Sequence, residues 1–314
     1  MGLLIQLLLS VSTAMGATYY VDPTTGNDSN VGTSQSAPWR TIPGTQTAVN
    51  SGLISARWGS IDGVNKLNAG DIVEIKAGAI FSGSNSGRVE ITSAFYSGGA
   101  TPVTVRCSSV WGIGDCMWDG TGMTLPDNSY PILYIQASNF TLTGSDLSRR
   151  IIVQKTNGYG ILVQPSWGNP HSQKIQLNFI RVTQTSGFGS VDFSNTDNGG
   201  MDNFEIDNNS YNGLTVGGGS DANTINLLFQ NGKLHHNGLK SENVSIRQGN
   251  GAVAVGATNL TFRKVLAYNN QQDGFDNGSS GNNTACTANF DSVAAYDNGE
   301  DGIGANGGPN GSNL

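Results

Sequence analysis

Two short segments near the C-terminus carry the same pattern, QQDGFD (271–276) and GEDGIG (299–304). Each follows a hydrophobic run that closes on tyrosine and then an amide or acid, VLAYNN (265–270) and VAAYDN (293–298). Asp273 and Asp301 hold the same place in the two copies, 28 residues apart. In a repeating fold equivalent positions stack, so the pattern sets one coil above the next and one carboxylate above the other.

Looser copies extend the repeat upstream. NGLTV (212–216) and GNGAVAV (249–255) begin, like DGF and DGI, with a turn residue, glycine and a short apolar strand. Each is preceded by a second strand-like stretch, as in NFEIDNNSY (203–211), TINLLFQNGKLHHNG (224–238), NLTFRKVLAYNN (259–270) and ANFDSVAAYDN (288–298). YGILV (159–163) and GFGSVDF (187–193) are weaker copies. The apolar pieces are short and β-branched, are separated by Asn, Gly, Asp and Ser turns, and show no helical or leucine-rich periodicity. A right-handed parallel β-helix is expected, because a single coil cannot bury its own apolar face and stacked coils can. Forty-four glycines and a charged fraction of only 12% suit such a chain of strands and tight turns. At 314 residues one elongated domain over 18–314 suffices, since a solenoid grows by adding coils.

Residues 1–17, MGLLIQLLLSVSTAMGA, read as a secretory signal peptide: an apolar stretch, then Ala14 and Gly16 at −3 and −1 to a cut before Ala17. The apolar run falls short of the ~20 residues a membrane span needs. An extracellular monomer without a membrane partner is therefore expected. Three cysteines make no disulfide framework. Cys107 and Cys116 are near enough to pair if geometry allows, and Cys286 reads as a buried apolar residue. Alternation along a strand would send His235 and His236 to opposite faces, so they read as turn or stacking residues rather than metal ligands. Trp39, Trp111, Trp118 and Trp167 read as coil packing before sugar platforms. The net charge of −7 excludes nucleic acid as partner. A polyanionic ligand would need a divalent cation or a local base such as Arg247, Arg263 or Lys264.

The segment TYYVDPTTGNDSNVGTSQSAPWRTI (18–42) resembles the opening of secreted parallel β-helix proteins that act on carbohydrates, which implies a capping helix over 43–55 and a first coil opened by AGDIVEIKAGAIFSG (69–83). DGF followed one coil later by AYDNGEDGI resembles the calcium site of family 9 polysaccharide lyases, the pectate lyases. The resemblance implies calcium ligands at Asp273, Glu300 and Asp301. Gly304 stands where the family has its last aspartate. Asp276, three residues after Asp273 as Gly304 is three after Asp301, lies one layer from that gap and would supply the missing oxygen. The column Asn212, Asn250, Asp273, Asp301 argues for a cation separately: amides stack neutrally, whereas stacked carboxylates repel. SNTD (194–197) resembles the first motif of polygalacturonases, but the motifs that should follow are missing.

In the lyases the base is a lysine beyond the acidic coil. This chain has no lysine after Lys264, which leaves Lys264 as a weak candidate, and a β-helix that stops at GGPNGSNL without a cap reads as C-terminally incomplete. Two readings follow from the sequence. One is a calcium-dependent lyase that cleaves pectate or a related polyuronate by β-elimination. The other is a non-catalytic β-helix, an adhesin or polysaccharide-binding protein, in which the same acids hold structural calcium.

Overall fold

The computed structural model describes residues 16–45, 67–82, 88–93, 96, 99–123, 125, 130–165, 171–217, 224–239, 249–278 and 286–304. Residues 1–15 of the expected signal peptide, the expected cap beyond Thr45, Trp167, Arg247 and the chain after Gly304 lie outside those residues.

Every named strand pairs with its neighbours in parallel, and successive partners come from successive coils. Ile180–Thr185 of the strand Ile175–Thr185 pairs with Ile151–Thr156 below and with Phe204–Asp207 above. The ladder then continues through Leu228–His235 and Leu260–Tyr268 to Ala294–Tyr296. Alternation decides what each coil buries. Val153, Val182, Ile206, Leu234 and Ala267 stack inward in one register row, each less than 1% exposed. Thr183, Asp207, His235, Tyr268 and Tyr296 form the outward row beside it. A second sheet runs on another face through Ile161–Val163, Gly189–Phe193, Asn212–Gly217, Ala252–Val255, Phe275–Gly278 and Ile303–Gly304. Short pairs at Ser172–Gln173 with Thr196–Asp197, continued by bridges Asp197–Ile225 and Ile225–Thr258, mark a third face. This is an all-β parallel β-helix.

The corners explain the tyrosine-amide signature. Asn208, His236, Asn269 and Asp297 all sit at φ between 52° and 55°, one per coil. Asn and Asp enter this left-handed region more readily than other residues with a side chain. The next residue of each coil turns inward. Asn209 Nδ2 donates to Asn237 Oδ1 (2.9 Å), Asn237 to Asn270 (2.9 Å) and Asn270 to Asn298 (3.0 Å). Each amide thus satisfies its neighbour in a buried ladder. Asn-Asn at 269–270 and Asp-Asn at 297–298 are therefore one turning residue and one rung.

Aromatic residues fill the interior of the later coils. Phe262 stacks between Phe229 (5.3 Å) and Phe290 (5.5 Å), with Phe275 edge-on at 5.2 Å. Trp39 and Trp118 are fully buried, whereas Trp111 lies partly exposed, edge-on to Tyr20 and under the Lys76 ammonium. Cys107 and Cys116 are joined in a disulfide, Cα–Cα 5.7 Å, and Cys286 is a buried free thiol. Among the described residues, no helix is long and apolar enough to cross a membrane.

Candidate functional site

The column read from the sequence is a hydrogen-bonded ladder. Asn212 Oδ1 accepts the Asn250 N–H (3.0 Å), Asn250 Oδ1 accepts that of Asp273 (2.9 Å), and Asp273 Oδ1 accepts that of Asp301 (2.8 Å). The acceptor changes from amide to carboxylate at Asp273, which is 5% exposed. Asp301 and Glu300 are at the surface, the latter within 3.4 Å of the Gln272 amide. Asp276 pairs in register with Gly304, and a Cβ on Gly304 would fall 2.5 Å from Asp273 Oδ2. The Asp273 carboxylate thus occupies space that a side chain at 304 would need. Asp273 and Asp276 flank Gly304 from the coil below, while Glu300 and Asp301 precede it on its own coil. The donor set is all oxygen and exposed at its outer members, and no three of the four acids bring ligand atoms within 4.8 Å of one another. That composition fits calcium, which takes six to eight oxygens at about 2.3–2.6 Å.

Lys264 is not brought to these acids. It sits at the left-handed bend of Leu260–Tyr268 (φ 52°), exposed on the other sheet, where its charge acts on Asp291. Arg263 is committed to the same Asp291, at 2.8 Å.

Asp276 also borders a cleft of ≈ 230 Å³ on the second sheet, with Tyr159, Asp192, Asn212, Thr215 and Asn250. Asp192, Thr215, Val253 and Asp276 form one outward row, a layer apart. Burial pushes the Asp192 carboxyl up to about 7, against the pull of the Ser194 hydroxyl. Ser194 Oγ lies 2.6 Å from Asp192 Oδ1 and 3.1 Å from the Gly217 carbonyl. One hydroxyl proton cannot serve both acceptors. A protonated Asp192 donating to Ser194, which in turn donates to Gly217, satisfies the whole set.

A second polar cluster, missed in the sequence, lies on the first sheet. Ligand atoms of Glu205, Asp207 and His235 fall within 4.8 Å of one another. Arg181 grips Asp207 through two hydrogen bonds of 2.8 Å, and Arg150 Nη1 lies 2.8 Å from Glu205 Oε2. A dication there would meet two guanidinium groups, so two acids and two bases close the cluster without one. The His235 hydrogen bond, aided by Arg181 and Arg150, holds Glu205 down at about 2. His235 and His236 do not face opposite ways: their Nδ1 atoms are 2.9 Å apart. The left-handed φ of 55° at His236 breaks the alternation that the sequence reading assumed. His235 stacks on Tyr268 at 4.7 Å, and Tyr268 on Tyr296 at 5.1 Å. The signal was available in the sequence: RVT (181–183), EID (205–207) and KLH (233–235) place polar residues two apart at equivalent coil positions. A neighbouring cleft of ≈ 350 Å³ is walled by Arg150, Phe204, Glu205, Asn231 and Lys233.

No protein-family model and no curated protein matches this chain. Among solved structures it is similar to the pectate lyase Pel9A, with a TM-score of 0.54 at 16% identity over 91% of this chain and 70% of that one. It is similar also to a rhamnogalacturonan lyase, with a TM-score of 0.54 at 15% identity over 89% of this chain and 73% of that one. At such identities the likeness is one of fold: a parallel β-helix resembling those of polysaccharide lyases.

Proposed function

We propose that this protein is a secreted lyase that cleaves pectate or a related polyuronate by calcium-assisted β-elimination. One observation carries the reading. The amide column becomes a carboxylate column at Asp273 and Asp301, with Asp276 in register beside the side-chain-free Gly304. Asp273, Asp276, Glu300 and Asp301 would hold the ion. Bound calcium supplies a Lewis acid for the substrate's C6 carboxylate, which acidifies the C5 proton and stabilises the enolate-like intermediate. It also reconciles an acidic protein with an acidic polymer. Asp273 is the fixed member, buried and oriented by the Asp301 N–H, while Glu300 and Asp301 stand at the surface where substrate arrives. Asn212, Thr215 and Asn250 line the adjoining cleft with groups that can meet sugar hydroxyls. The fold likeness to a pectate lyase and a rhamnogalacturonan lyase supports the substrate class.

The burial of Asp273 favours one rival, a non-catalytic β-helix with structural calcium. An assay for the unsaturated, ultraviolet-absorbing product from polygalacturonate, with and without chelator, separates the two. The lyase reading expects calcium to raise product formation, chelation to abolish that increment, and Asp301→Asn to lower the calcium-dependent part about 100-fold, the scale of removing one electrostatic contact at a reacting charge. Calcium binding without product would leave only the structural role.

A further inference from the structure

The polar cluster on the first sheet contains a proton relay. We propose that Glu205, His235 and His236 form a metal-free acid–base centre in which His236 is the catalytic base, acting on a carboxylate-bearing sugar held by Lys233. The sugar class rests on the polysaccharide reading above; the relay geometry does not.

The Glu205 carboxylate is ionised and lies 3.2 Å from His235 Nε2. That contact calls for the proton of a neutral His235 on Nε2, which leaves Nδ1 with its lone pair. His236 Nδ1, 2.9 Å away, must then be the donor. Its Nε2 is left as a lone pair on a half-buried ring. When that nitrogen takes a proton, the new imidazolium is stabilised through Nδ1–H by His235, and through His235 by Glu205. This is the carboxylate–imidazole logic of general-base catalysis lengthened by one ring.

The surroundings are consistent with this use. The groups packed around the two rings are Glu205 and Asp207 from one coil, Tyr268 from the next, and Arg181 and Arg150 behind the acids. Desolvation raises the Tyr268 phenol, so it remains neutral. Two acids and two guanidiniums cancel. Lys233, exposed at the cleft wall in register with Glu205, makes no ion pair among the described residues and provides the surplus positive charge. The corner itself is informative: the coils on either side carry Asn208 and Asn269 at the position of His236. The backbone there asks only for a residue tolerant of positive φ, so the imidazole is present for what its side chain does.

The step balances within a β-elimination. His236 Nε2 takes the C5 proton, the C–H electron pair becomes the C4=C5 bond, the C4–O4 bond breaks, and the leaving oxygen takes a proton from water. Lys233 pairs with the carboxylate next to C5. His236 then returns its proton to solvent.

The test uses the full chain, in excess chelator, with oligouronates in deuterated water, reading deuterium exchanged into C5 of recovered substrate and the unsaturated product. The relay expects turnover without calcium. His236→Asn, which keeps the corner residue of its neighbours, should lower it about 100-fold or more, the lower bound for losing a general base. Glu205→Gln, a positioning change, should move the acidic limb of the pH profile, and Lys233→Met should raise KM with kcat held. Nitrogen-15 spectra should show His235 protonated on Nε2 and His236 on Nδ1. The reverse protonation pattern, or a His236→Asn protein as active as the parent, overturns the relay. Turnover seen only with calcium and indifferent to His236 overturns it while leaving the calcium reading intact. No turnover under either condition removes both.

Discussion

Asp192 shows how one residue's surroundings set its chemistry. A carboxyl held near 7 in the folded protein, against 3.8 as its ordinary value, binds its proton more tightly folded than unfolded. Its favourable contribution is therefore complete below about pH 4 and is lost as the pH rises through about 7, at a cost on the order of 4 kcal/mol. Urea unfolding of the parent should weaken across that window. Asp192→Asn, which cannot ionise, should flatten the profile and be the more stable protein at pH 8. A parent profile that is flat from pH 4 to 8 would remove the protonated assignment. The residue was invisible as a special case in the sequence, where SVDFSN reads as an ordinary strand with an outward acid. Its burial follows from the neighbouring coils and from Tyr159 across the cleft, neither of which one strand specifies. The stacking of Asp273 between Asn250 and Asp301 was legible because it depends only on the coils above and below.

Elements repeat in this chain with two invariants, an aromatic or polar outward residue and an inward asparagine. Asn237 bonds to both Asn209 and Asn270. Asn237→Ala would strand two buried partners, at about 1–3 kcal/mol each, and equilibrium urea unfolding should record about 2–6 kcal/mol in all. Phe262→Ala removes the middle of the Phe229–Phe262–Phe290 stack and should cost about 3–5 kcal/mol, the range for deleting a buried aromatic ring. Tyr268→Ala, on the outward row, should cost less than half of that by the same measurement. The strands and their order could be read from the turn residues and the β-branched runs. The corners could not. Strand alternation holds only up to a left-handed residue, and at His236 that single dihedral brings together two rings which alternation would separate.

At the scale of the whole molecule the sequence's periodicity was enough for the architecture, since any chain that repeats short strands must stack them to bury their apolar faces. The acidic column came with it, because Asp273 and Asp301 sit in adjacent coils of regular length. The charged rows of the first sheet were hidden by irregular coil lengths: hydrogen-bonded corner asparagines are separated by 28, 33 and 28 residues, so no fixed period aligns Arg181, Glu205 and Lys233. The result is a β-helix with distinct chemistry on two faces. Asp273, Asp276, Glu300 and Asp301 lie on the last two described coils of the second sheet. On the first sheet lies a charge-balanced cluster of imidazole, guanidinium and carboxylate.

Anomalous diffraction from a calcium-soaked crystal would locate an ion at the acidic column directly. The expected result is one ion within ligand distance of Asp273, Asp276 and the Glu300–Asp301 pair, beside Gly304, and no ion at Glu205 and Asp207. A calcium-saturated crystal with no density beside Gly304, or with the ion between Glu205 and Asp207 instead, would contradict it.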